Sequence, residues 1–258
     1  MFVREVGRDN HESILFLHGA NAGGWMWENV VAHLPNYHCI YPDFPGHAKS
    51  RDLTWTSTEQ VAQMAAECIV KKAHDGRAHV VGLSLGGYVT LHLLAQHSAI
   101  VKDAVISGVP SRPLPFGTLI KMIGYLLTPF IHSDWLLRRS ARSLHVDAAE
   151  LEEYVAHCKQ NSKQAFREIN RQAPSFVPPP TALQSTNRKL FIAGSREHPL
   201  IKQSLRSFNH APATVCAEAS GLGHGWSGEA PELFANTVHR WVQRQPLPDG
   251  LSVVPETA

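Results

Sequence analysis

Cysteine is scarce in this 258-residue chain: Cys39, Cys68, Cys158 and Cys216 stand far apart, with no C-x-x-C among them. That spacing argues against a zinc site or a disulfide framework and fits buried free thiols in a reducing cytoplasm. An excess of one charge is also lacking, since 24 Lys and Arg against 22 Asp and Glu leave a net charge of +2. Phosphate binding needs clustered cations, so no nucleic-acid partner is expected. No apolar run approaches the ~20 residues needed to span a bilayer. The opening MFVREVGRDNHES carries charge where a secretory signal needs an apolar stretch. Repeats and low-complexity segments are missing as well. The expectation is a cytoplasmic protein, monomer or homodimer, acting on a small molecule without a metal or cofactor.

What is present is ordinary globular composition, 43% hydrophobic and 18% charged. Short runs apolar on both faces occur at 13–18, 37–42, 78–83, 103–109, 189–194 and 213–218. Such runs suit strands of a parallel sheet covered on both sides. Helical spacing alternates with them at 58–73, 85–97 and 231–244, the last opened by Pro231. This alternation predicts an α/β fold with right-handed crossovers. Residues 110–187 break it and read as helices only: 116–127, a helix opened by a capping box of Asp147 and Glu150, and another over 162–172. The expected organisation is a core of 1–109 and 188–245, a helical cap at 110–187, and a loosely attached Pro-rich tail at 246–258.

The strongest local signal is Gly82-Leu-Ser84-Leu-Gly86-Gly87, set between the strand HVV and the helix YVTLHLLAQ. A turn that tight strains the serine backbone and needs small neighbours. It lifts the hydroxyl to the strand tip beside a helix N-terminus, whose free N–H groups favour an oxyanion. A serine nucleophile needs a base, and the base needs an orienting carboxylate. His224, held among glycines in GLGHGW, is the candidate base. Glu197, just past the strand KLFIAG, is the candidate acid, with Asp103 and Asp134 as fallback carboxylates. The N–H groups of Ala20 and Leu85 are the candidate oxyanion donors. His18 is expected to shape that turn rather than act as a base.

The set HGANAGGW, DFPGHAKS, GLSLGG, GSRE and GLGHGW closely resembles the α/β-hydrolase superfamily, from about Ile14 to Trp241. The opening is similar to that of small esterases and their hydroxynitrile-lyase relatives. Two positions depart from the family pattern: Ala48 stands for the second glycine of D-x-P-G-x-G-x-S, and Glu197 for the more usual Asp. The short segment FVREV implies that one or two family edge strands are missing. The resemblance implies a mostly parallel sheet with helices on both faces and an inserted helical cap. Ser84 stands where dehalogenase- and epoxide-hydrolase-like members carry Asp, which disfavours those activities.

The leading expectation is hydrolysis of carboxylic esters with small to medium hydrophobic acyl groups through an acyl-enzyme. Amide, thioester, lactone or carbon–carbon cleavage stays open. So does a lyase using Lys121 or Lys202, or a non-catalytic binding or signalling protein on the same fold. Trp25, Phe116, Ile120, Ile123 and Trp135 are candidates to line the acyl pocket, although the cap stripe can equally serve as glue between cap and core. A membrane-surface role for 116–127 is disfavoured, because that helix offers only Lys121 on its polar side.

Overall fold

Strand Ser13–Leu17 shows how the sheet is built. Ile14 and Phe16 enter one buried cluster, while Leu15 and Leu17 enter another on the opposite face. A strand apolar at every position must be covered on both sides. The computed structural model describes residues 1–144, 146 and 148–255. Eight strands form one sheet: β1 (Val3–Val6), β2 (Ser13–Leu17), β3 (His38–Pro42), β4 (Ala78–Leu83), β5 (Val101–Ser107), β6 (Arg188–Gly194), β7 (Thr214–Ala219) and β8 (Leu251–Val253), in the order β1-β3-β2-β4-β5-β6-β7-β8. The six inner strands are parallel and the two edges, β1 and β8, are antiparallel. The chain is therefore an α/β fold, a mostly parallel sheet with helices on both faces.

Eleven α-helical segments are found among the described residues. They are α1 (Glu28–Val31), α2 (Thr58–Lys72), α3 (Leu85–His97), α4 (Gly117–Leu127), α5 (Asp134–Ser143), α6 (Leu151–Cys158), α7 (Lys163–Gln172), α8 (Pro180–Gln184), α9 (Pro199–Phe208), α10 (Trp226–Glu229) and α11 (Pro231–Val242). One face of the sheet is covered by α2, α3, α8 and α9, the other by α1 and α11. Among the described residues no helix is long and apolar enough to cross a membrane.

The segment FVREV supplies the edge strand β1, with Val3 opposite Pro42 and Val6 opposite Cys39. One expectation is corrected here: among the described residues the tail is not loosely attached, because Leu251, Ser252 and Val253 pair with Ala219, Glu218 and Ala217. Asn209 Nδ2 also donates to the Val254 carbonyl at 2.9 Å. The capping box expected at Asp147 and Glu150 falls on a residue outside the described ones.

Between β5 and β6 the chain is helical, from α4 to α8. This insert is tied to the core loops at several points. The Asn161 side chain donates to the Asn21 carbonyl and accepts from Ala48 N–H at 3.0 Å. Phe176 stacks on Tyr88 of α3, with ring centroids 3.9 Å apart.

Candidate active site

Ser84, between β4 and α3, has φ 56° and ψ −114°, a conformation that costs a non-glycine residue of order 1–3 kcal/mol. The surrounding chain enforces it. A Cβ on Gly86 would lie 1.9 Å from the Leu17 carbonyl oxygen, and one on Gly82 would lie 2.3 Å from the Gly86 carbonyl oxygen and Thr90 Oγ1. Glycine is thus required on both sides of the serine by backbone packing. Ser84 N–H donates to the Ser107 carbonyl at 2.8 Å, which anchors the turn to β5.

The loop after β2 approaches the same point. A Cβ on Gly19 would stand 3.8 Å from Ser84 Cβ. Buried His18 sets the turn: its Nδ1–H donates to the Gly19 carbonyl at 2.8 Å and its Nε2 accepts Phe44 N–H at 2.9 Å. Those two partners fix a neutral tautomer. Burial, followed by the neighbouring His47, pushes the His18 pKa well down. Because a trans peptide points its C=O and N–H in opposite directions, holding the Gly19 carbonyl also aims Ala20 N–H. Neither Ala20 N–H nor Leu85 N–H has a hydrogen-bond partner among the described residues.

His224 and Glu197 meet. His224 Nδ1 is bonded to Glu197 Oε1, and Glu197 Oε2 accepts Gly194 N–H at 3.0 Å. The carboxylate is buried while the imidazole remains one-third exposed, which leaves Nε2 free for a second partner. Gly108 makes room for the pair: at φ +70°, a Cβ there would lie 2.7 Å from His224 Cε1 and 3.1 Å from Glu197 Oε1. The fallback carboxylates are engaged elsewhere, Asp103 with Arg188 at 3.2 Å and Asp134 with Lys159.

The turn after β3 braces the loop that follows β2. Fully buried Asp43 accepts Gly24 N–H at 2.7 Å and Lys49 N–H at 3.0 Å, and pairs with Arg4 at 2.6 Å. Ala48 adopts φ 42°, so the residue standing in the glycine position keeps a conformation that favours glycine.

The pocket residues expected from the cap are mostly misplaced. Phe116 is 81% and Trp135 69% exposed, Ile123 faces solvent, and Ile120 is half-buried. Trp25 stacks on His157 of α6 at 4.7 Å and meets Tyr154 edge-on, so it fastens the insert to the core. A cleft of about 510 Å³ runs along α3 under the insert; it touches Leu85 but none of Ser84, Glu197 and His224, and Tyr88, Glu59, Ile169, Arg171 and Phe176 are among its other lining residues. A roomier depression around Arg188, Thr214 and Trp241 lies at the opposite ends of the strands, away from Ser84. Of the two lysines weighed for lyase chemistry, Lys121 lines the cleft and bonds Ser175 Oγ at 2.7 Å, whereas Lys202 donates to the Ser195 carbonyl. Sequence reasoning missed Asn161 and Gly108, since a lone Asn and a lone Gly at a strand end carry no signal of the groups they face.

The profile of the alpha/beta hydrolase family matches residues 14–237. The chain belongs to the alpha/beta hydrolase family. An AB hydrolase superfamily protein of Gibberella zeae is 30% identical over 262 residues, covering 95% of this chain and 84% of that protein. Lipase LipV of Mycobacterium tuberculosis is 33% identical over 96 residues, 37% of this chain and 36% of that protein. An esterase structure from Exiguobacterium antarcticum superposes with a TM-score of 0.80 at 18% identity, covering 94% of this chain and 95% of that one. In this alpha/beta hydrolase the sheet order, the elbow and the late histidine loop thus sit on a fold shared with solved esterases.

Proposed function

We propose that the chain is a serine hydrolase of carboxylic esters, with Ser84, His224 and Glu197 as its triad. The observation that carries this is a His224 imidazole bonded to a buried carboxylate and packed against Gly108, the neighbour of the Ser107 whose carbonyl anchors the strained Ser84 turn. Ser84 Oγ attacks the ester carbonyl carbon as His224 Nε2 takes its proton. Glu197 orients the ring and stabilises the imidazolium. The N–H groups of Ala20 and Leu85 hold the developing oxyanion. His224 then protonates the leaving alkoxide, and water, activated by the same imidazole, releases the acid.

The cleft beside Leu85 falls within the size range of small-molecule sites, and we assign the acyl group to its apolar stretch of Tyr88, Ile169 and Phe176 next to the polar Thr58, Glu59 and Arg171. Lipase LipV, similar over part of the chain, supports ester chemistry. Four buried free cysteines support a reducing, cytoplasmic setting.

The test is a screen of p-nitrophenyl esters by acyl length, with Ser84→Ala beside the parent. The expected result is turnover on short and medium acyl chains, reduced by roughly 10³-fold or more in the variant. No turnover on any ester, or equal turnover in Ser84→Ala, overturns the reading.

A further inference from the structure

Helix α4 meets the rest of the molecule through its glycines. A Cβ on Gly124 would lie 2.8 Å from Asn170 Cβ, and one on Gly117 3.5 Å from the Pro174 carbonyl oxygen. Lys121, on the same helical face, is tied to Ser175. The face turned outward is the apolar one. Phe116 is 81%, Met122 53%, Leu126 60% and Phe130 59% exposed, and Trp135 at the start of α5 is 69% exposed. On α4, Leu119, Met122, Ile123 and Leu126 follow helical spacing, and Phe116 and Phe130 extend the exposed apolar surface beyond its two ends, so these side chains form a stripe rather than scattered singles. An exposed apolar stripe of this length marks an interaction surface.

Charge selects the occupant. Helices α4 and α5 with the segment before them carry Arg112, Lys121, Arg138, Arg139 and Arg142 against one carboxylate, Asp134, which Lys159 already binds; of the carboxylates at the neighbouring helix α6, Glu150 accepts from Asn29, Glu152 pairs with Arg138 and Glu153 with His157. Arg112, Arg139 and Arg142 are exposed and form no ion pair among the described residues. Two copies of such a face would oppose like charges, whereas an anionic lipid surface would neutralise them and accept the apolar stripe. The single lysine of α4 suggested too few cations for this role. The structure supplies them from α5 and from Arg112.

We propose that the outer face of α4 and α5 seats the protein on an anionic lipid surface. The stripe enters the boundary between headgroups and acyl chains, with the arginines at headgroup level. The inference does not rest on the ester reading, because its readout is binding.

The experiment is sedimentation of the full chain with vesicles of phosphatidylcholine alone and of phosphatidylcholine with phosphatidylglycerol. The protein is expected to sediment with the mixed vesicles, less with the neutral ones, and less as salt rises. Leu126→Ser with Phe130→Ser should weaken binding to the mixed vesicles by roughly thirtyfold or more. Arg139→Gln with Arg142→Gln should weaken it on the mixed vesicles by about tenfold or more and leave the neutral vesicles unchanged. Both variants alter exposed side chains and should keep the parental melting temperature. Three results would overturn the proposal: no sedimentation with either vesicle, equal binding by parent and variants, or a stable dimer that Leu126→Ser with Phe130→Ser turns into monomer.

Discussion

Replacing Gly108 by alanine probes the His224–Glu197 pair without touching either residue. The added methyl carbon would stand 2.7 Å from His224 Cε1, 2.9 Å from Nδ1 and 3.1 Å from Glu197 Oε1. Carbon atoms pack at about 3.5–4.0 Å, so the imidazole must retreat by roughly 0.8 Å or more. Misplacement on the order of 1 Å costs about 10²-fold in rate. The backbone adds a separate penalty, since alanine at φ +70° is strained by about 1–2 kcal/mol. For a chain of this size that lowers Tm by about 2–8 °C. Gly76→Ala separates the two effects: its φ is +61°, but the nearest atom to a new Cβ is 3.9 Å away, on Val70. The assay is kcat on a p-nitrophenyl ester, with thermal melting of both variants. Gly108→Ala should lose about 10²-fold in kcat and Gly76→Ala almost nothing, while both melt lower. If Gly108→Ala turns over within about twofold of Gly76→Ala, the imidazole it crowds is not the working base.

Glu197→Gln should lower kcat by roughly 10²–10⁴-fold with little change in Tm, because the partner of His224 Nδ1 loses its charge and keeps its shape; a fully active variant would remove Glu197 from the triad. Stability should fall as pH drops from about 6.5 to about 4. Burial pushes the His47 pKa down to about 4 and that of His18 well down. The unfolded chain therefore binds protons in that window that the folded one refuses, and each such histidine contributes up to about 1.4 kcal/mol per pH unit. Urea midpoints across this window, for parent and His47→Gln, check it: the variant should show the shallower slope. The thiols should be inert when folded, because burial drives Cys39, Cys158 and Cys216 up to about 12 and Cys68 up to about 11. A thiol reagent should find no reactive cysteine in native protein and four after denaturation.

The six inner strands were legible in the sequence because burial on both faces writes itself as a continuous apolar run. The edge strands were not. β1 is only partly buried along its length and β8 has three residues, so neither needs such a run. Ser84, Glu197 and His224 were singled out by position, each falling just past the C-terminal end of a strand. The structure places Glu197 and His224 in hydrogen-bond contact. The orientation of α4 was misread for a definite reason. Periodicity locates an apolar stripe without saying what it faces, and here close approach to Asn170 and Pro174 favours the glycine side. The role of Gly108 was illegible because what matters is the group its missing side chain would strike, which is distant in sequence.

The central claim is that Ser84 is a nucleophile poised by its turn and its base. Intact-mass analysis after treatment with a fluorophosphonate tests it most directly. The account predicts a single adduct per chain, mapped to the peptide carrying Ser84 and lost in Ser84→Ala. An adduct on another residue, or one that persists in Ser84→Ala, would contradict it.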